Sequence, residues 1–287
     1  MRKIALLLSI SMLFTLGNAP LKGEFVKEVT LNASQVTGAM DIELAMEAAT
    51  DRGEHPGIVT LDASAGDFIY TSDDRSINIY LSDVTLRSKN GAMITNCADG
   101  IFFDDFVTDN VVIEGIRFVC ENGIIASYGT HRNVTIRDNV FIANSYAIGA
   151  RGADGWIITG NHAAGNATVI QLLESTETII SDNSLIGSSQ GLGIFLEKSD
   201  GNTVSHNIIG NGWQGILIGS GSSGNRVINN TIQFVQQAGI SFEGNNEYNS
   251  VLANKINCLP GTDCLIVSVG DPPLSPTNKV HGNRFVR

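Results

Sequence analysis

An imperfect repeat of 22 to 24 residues constrains this chain more than any other feature. Segments beginning at Asn110 (NVVIEGIRF), Asn133 (NVTIRDNVF), Gly155 (GWIITGNHA), Glu177 (ETIISDNSL), Asn202 (NTVSHNII), Asn225 (NRVINNTI), Asn249 (NSVLANKI) and Asn278 (NKVHGNRF) align. Their shared core is an aliphatic residue, two variable residues, usually Asn, one more variable residue and then an apolar one. The recurring asparagines are Asn139, Asn161, Asn183, Asn207, Asn230, Asn254 and Asn283. The last step is longer because it takes in the Cys258 loop and Pro272-Pro273. A period of this length marks a solenoid, in which each unit buries its apolar face only against its neighbours.

A second apolar stretch follows each asparagine: GIIA from Gly123, AIGA from Ala147, VIQL from Val169, GIFL from Gly193, GILI from Gly215 and GISF from Gly239. Two or more short strands per repeat, with Gly and Asn at the corners, cannot close as hairpins at this spacing. Stacked coils can, each pairing with the coil above and below at about 4.8 Å. The expected fold is all-β: a single-stranded right-handed parallel β-helix of about eight to ten coils. Asparagine at a fixed corner can take φ > 0 and stack its amide on the next asparagine as a hydrogen-bonded ladder.

The ends carry their own signals. Arg2 and Lys3 precede an apolar run from Ile4 to Leu16, and Gly17-Asn18-Ala19 offers small residues for cleavage, although Pro20 is a poor neighbour. Residues 1–19 read as a signal peptide, because the run is shorter than the ~20 residues a span needs. Residues 20–57 form an N-terminal segment in which AMDIELAMEAAT (39–50) sets Ile42, Met46 and Ala49 on one face, with Leu44 and Ala45 nearby. That is a short amphipathic helix, suited to cover the open first coil. The β-helix occupies 58–287, opening with IVTLD from Ile58. These expectations place the chain outside the cell or in the periplasm, where its four cysteines can pair. Net charge is −11, which argues against a nucleic-acid partner. No later segment is apolar enough to span a bilayer, and a monomer is expected.

A signal sequence, a capping helix, a V-T-L-D strand and Asn-x-[VI]-x-x-N-x-[IF] coils resemble the pectate-lyase-like β-helix superfamily. The resemblance is nearest to its right-handed β-helix repeat group, which includes NosD-like periplasmic proteins, and it covers roughly 36–287. It implies the fold strongly and function weakly, since this fold hosts lyases, hydrolases, epimerases, tailspikes and proteins without activity. Family catalytic motifs are not carried over. Asp104-Asp105 is present, but the G-H-G and R-I-K of polygalacturonase-like hydrolases and the D-P-H-D of alginate epimerases are not.

Stacking turns spacing into columns. CADGIFF from Cys97 and CENGIIA from Cys120 match at 23 residues, which sets the two cysteines on adjacent coils about 5 Å apart, within disulfide range. Cys258 and Cys264 flank a Pro-Gly loop that a second bridge would close. Just past the second strands, one column reads Asp104, Ser127, Arg151, Glu174, Glu197, Gly219 and Glu243, and the next Asp105, Tyr128, Gly152, Ser175, Lys198, Ser220 and Gly244. On this reading Arg151 stacks on Glu174, and Glu174 and Glu197 lie one rung apart. Two carboxylates so placed repel, raising the proton affinity of the pair, which Arg151 and Lys198 would offset.

Such a cluster suits carbohydrate chemistry. Paired carboxylates serve glycoside hydrolysis. Alternatively, Arg151 neutralises a uronate while His131 or Tyr128 exchanges the adjacent proton. Asp104, Asp105 and Lys198 are candidate substrate contacts. Asp104-Asp105 could also attract Ca²⁺, though two acids make a thin oxygen shell; no other cofactor is implied. A solvated ion-pair ladder is the bland alternative. His131, His162, His206 and His281 are dispersed and match no metal spacing. Trp156 and Trp213 are sugar platforms if exposed, and no serine lies in a nucleophile-elbow motif. Three readings follow: a carbohydrate-active lyase or hydrolase acting on polysaccharide, a non-catalytic binding or accessory protein of the NosD type, and a structural surface solenoid.

Overall fold

The structure is a computed structural model that describes residues 26–64, 76–142, 144–260, 266–269 and 275–286. The expected signal peptide and Cys264 lie outside these residues. Among them, parallel strands stack into an eleven-stranded sheet, a sixteen-stranded sheet and a short three-stranded sheet. Together they make a right-handed parallel β-helix of about eight turns, at the lower end of the expected eight to ten.

The apolar periodicity becomes columns of stacked side chains. In the first sheet the inward column runs Val29, Val59, Leu86, Ile113, Ile136, Ile158, Ile180, Val204, Val227, Val251 and Val280. In the second sheet Ile101, Ile124, Ile148, Ile170, Ile194, Ile216, Ile240 and Ile266 do the same. β-branched side chains pack well on such pleated surfaces, and nearly all of these are fully buried. The Phe118 and Phe141 rings stack at 5.1 Å. The recurring strand glycines make room for these contents. A Cβ on Gly123 would stand 2.4 Å from the Phe141 ring, and one on Gly193 2.4 Å from Ile209.

The asparagine ladder forms, with one correction. The ladder asparagines from Asn139 to Asn254 are buried, and each after Asn139 accepts from the one before: Asn139 N–H to Asn161 Oδ1 at 3.0 Å, Asn161 to Asn183 at 2.9 Å, Asn183 to Asn207 at 3.1 Å, and on to the half-buried Asn283. The positive φ falls on the preceding residue instead: Asp138, Gly160, Asp182, His206, Asn229, Ala253 and Gly282. That residue turns the corner, which frees the asparagine to aim its amide inward at backbone that would otherwise be unpaired. Two further ladders line the other corners. One runs Thr178, Asn202, Asn225, Asn249 and Asn278, the other Ser175, Ser199, Ser222 and Asn246.

The helix spans Ala39–Thr50 and buries Ile42, Ala45, Met46 and Ala49. Leu44 is about half exposed rather than part of the buried face. The sheet begins before the helix, because strand Lys27–Asn32 pairs with Gly57–Asp62. The helix packs on the first strands of both large sheets. Its Glu43 accepts the N–H of Asn78 at 2.8 Å, and its Glu47 accepts the Tyr80 hydroxyl at 2.7 Å. Asn78 lies on Ile77–Ile79, the end strand of the second sheet, so the helix satisfies an otherwise open edge. Cys97 and Cys120 form the expected disulfide, Cα to Cα 4.8 Å. Among the described residues no helix is long and apolar enough to cross a membrane.

Candidate functional site

The outer face of the second sheet carries a concavity of about 320 Å³. Its floor follows strand register: Ile125 beside Gly149 beside Gln171. Gly149 is the low point; a Cβ there would meet Ile125 Cδ1 at 3.0 Å. Tyr128 and Tyr146, exposed at 61% and 36%, also line it, together with Ser127, Arg151 and Leu173. The Arg151 guanidinium lies 5.7 Å from the Tyr128 ring centroid, within cation–π range.

Arg151 and Glu174 do meet: Nε donates to Oε2 at 2.9 Å. They meet across a register different from the expected one. Leu173, not Glu174, pairs with both Arg151 and Glu197 in the sheet. Glu174 sits one residue further on, at the corner, with φ 52°. It shares that corner position with Gly152, Lys198 (φ 48°) and Gly221, each just before an inward Ala or Ser. Its N–H donates to the Glu197 carbonyl at 2.9 Å, while its carboxylate takes Arg151 and, at 3.8 Å, Lys198. Glu174 therefore sits between two cations, Arg151 and Lys198, the offsetting charges expected for it. The Arg151 hydrogen bond, with Lys198 adding its field, holds the Glu174 carboxyl below its usual range despite some burial. Glu174 is thus ionised at neutral pH, which suits an anchor for Arg151 and not a proton donor.

The remaining candidates separate. His131 is fully buried. Its ring packs 5.1 Å from Phe103, Nδ1 lies 2.8 Å from Thr108 Oγ1, and Nε2 lies 2.9 Å from the Tyr128 carbonyl. A proton exchanged there would not reach a bound molecule, which leaves Tyr128, exposed on the concavity, as the other group named for that exchange. Trp156 is fully buried, donating from Nε1 to the His131 carbonyl at 2.7 Å. Trp213 is exposed at the corner before strand Gln214–Ile218, three coils on from Tyr146. Asp104 and Asp105 hydrogen-bond within the pair, Asp105 N–H to Asp104 Oδ1 at 2.8 Å. No group of three His, Cys, Asp or Glu that could hold a metal forms among the described residues. The spacing missed Tyr146, Gly149 and Gln171, which carry no charge. Their signal was the break in the VIQL, GIFL pattern at AIGA, where a glycine replaces a large outward residue.

The family model described as periplasmic copper-binding protein (NosD) matches residues 59–263. The chain belongs to the NosD family. No curated protein matches it. Among solved structures it is similar to DFA-IIIase from Arthrobacter chlorophenolicus A6 in complex with DFA-III, at 16% identity, TM-score 0.66, covering 89% of this chain and 76% of that one. It is also similar to the Streptococcus pneumoniae surface protein and adhesin PfbA, at 14% identity, TM-score 0.67, covering 89% and 86%. At these identities the likeness shows the β-helix fold.

The family description raises copper, which binds best to imidazole, thiolate and thioether ligands. The donors described in this NosD-family chain do not fit such a centre. Both nitrogens of His131 are engaged inside the core, and Cys97 and Cys120 are bonded to each other. His55 follows the helix, His162, His206 and His281 stand on separate coils, and of the helix methionines Met46 is buried on its inner face while Met40 is exposed, so these donors do not gather into one site.

Proposed function

We propose that this NosD-family chain is a periplasmic or secreted saccharide-binding protein, and that it binds without catalysing. One observation carries the reading: a glycine-floored groove flanked by two exposed tyrosines, with Gln171 and Arg151 supplying polar contacts. Aromatic faces stack on the apolar faces of sugar rings, while a few placed amide and guanidinium donors fix hydroxyl groups. Glu174 is tied to Arg151 and Lys198, and His131 is sealed away, so the groups facing the groove, Tyr128 among them, serve this reading as anchors. That DFA-IIIase, a carbohydrate-active enzyme, shares the fold is in keeping with a saccharide on this scaffold. Ca²⁺ at Asp104-Asp105 would be an accessory to this role.

The test is calorimetric titration of the mature protein with cellotriose, maltotriose and trigalacturonate, alongside assays for new reducing ends and unsaturated products. Binding without turnover is expected, weakened about tenfold by Tyr128→Ala and abolished by Gly149→Leu, a tenfold loss being about 1.4 kcal/mol. Binding indifferent to both variants, or none at all, removes the groove from the account. Turnover lost in Glu174→Gln would restore the enzyme reading.

A further inference from the structure

A chain of contacts links the core to the groove. Thr108 and His131 lie on neighbouring strands of the short third sheet, and the ring of His131 bridges from Thr108 Oγ1 to the backbone carbonyl of Tyr128. A carbonyl can only accept, so Nε2 carries the proton and Nδ1 accepts from the Thr108 hydroxyl. The imidazole is therefore held as one neutral tautomer. Between Tyr128 and His131 the chain turns through Gly129 at φ 94°, where a Cβ would lie 3.2 Å from His131 Nε2. On the outer side the Tyr128 ring lies over Arg151, which holds Glu174.

We infer that neutral His131 is a positioning residue that fixes the Tyr128 wall of the groove, and that acid releases this wall. Its binding consequence rests on the saccharide reading above; its conformational content does not. A second proton would sit on Nδ1. Thr108 would then have to turn from donor to acceptor, and its hydroxyl hydrogen would lose its partner inside the core. A buried cation among Phe103, Trp156 and Thr108 has little compensation. Of the charged groups around the ring, Asp105 on the preceding coil favours protonation, while Arg132 and Asp154 pair with each other at 3.4 Å. Burial outweighs Asp105 and the Tyr128 hydrogen bond, and holds the ring below its ordinary 6.5. The sign follows: the unfolded or released segment binds the proton more readily. The closed wall is fully stable above pH 6.5 and is lost as pH falls from 6.5 through the lower value of the buried ring. The least costly escape is outward movement of the exposed corner that carries Tyr128.

The experiment is histidine ¹⁵N and tyrosine-ring NMR of the intact mature protein from pH 8 to pH 4, with trisaccharide affinity measured over the same range. His131 should remain an Nε2–H tautomer to below pH 6.5, and the Tyr128 ring signals should shift with its titration. Affinity should fall about tenfold over that step. His131→Gln, which keeps a donor for the Tyr128 carbonyl and cannot titrate, should flatten the pH profile. Tyr128 signals unmoved through the His131 titration would overturn the inference, and the wild-type spectra decide this whether or not the variant folds. If Tyr128 follows His131 but no saccharide binds at any pH, the groove reading fails and the positioning inference stands.

Discussion

A ladder asparagine completes several bonds from one buried side chain. Asn207 accepts from the N–H and the amide of Asn183, and donates to the carbonyls of Ile180 and Ser205 and to Asn230 Oδ1. Removing it strands groups that cannot reach water. Each unsatisfied buried group costs about 1–3 kcal/mol, so Asn207→Ala should lose about 3 kcal/mol, read from the urea midpoint at unchanged slope. Asn207→Asp should be at least as damaging, because it keeps the acceptor but presents a charge to two carbonyls. An exposed corner change such as Asn229→Gly should cost nothing measurable, because Asn229 already holds φ 56°. The same contrast explains why the ladder could be read from the sequence and its geometry could not. Recurrence marks the asparagines as special, but which residue of each pair turns the corner depends on backbone paths that spacing does not encode.

At the scale of strands and coils, register decides what the sequence reveals. Cys97 and Cys120 sit in coils of identical spacing, so their neighbourhood was legible, and their Cα atoms are 4.8 Å apart. The bridge closes a loop across a sequence separation of 23, which in the chain-entropy account stabilises by about 3 kcal/mol. Cys97→Ser with Cys120→Ser should lower the unfolding free energy by about that amount, measured against wild type in the absence of reductant. The Arg151–Glu174 contact was also legible, but for a reason other than the one the columns supplied. Strand His162–Leu173 ends one residue before Glu174, so Glu174 belongs to the corner and reaches back to Arg151 with its side chain. A slip of one residue moves a side chain from one face of a strand to the other. That slip puts Glu174 at the corner, where it meets Arg151 and Lys198. The glycines of the second strands were visible as a motif, but their reason is packing: Ile232 and Ile256 occupy the space that Cβ atoms on Gly215 and Gly239 would need.

Across the whole molecule, a solenoid has no closed core, only a continuous one with two ends. Interior coils satisfy one another's backbone on both sides, so exposed edges are confined to the termini. At the N-terminal end the helix Ala39–Thr50 closes the stack. It presses Ile42 and Met46 onto the first strands, and its Glu43 occupies the free N–H of Asn78. An uncovered parallel edge with such regular spacing is a template for another copy of itself. Ile42→Asp would place a charge in the fully buried contact and lift the helix. The expected result is end-to-end association rather than global unfolding: light scattering should show mass rising with concentration, while the β-sheet circular dichroism of the interior coils persists. Glu43→Ala, which leaves the helix seated but frees one edge amide, should produce a weaker form of the same behaviour. If Ile42→Asp stays monomeric with an unchanged melting curve, the helix is an ornament on a stack whose end is protected by other means. Cooperative loss of the whole sheet signal would instead place it inside the folding unit.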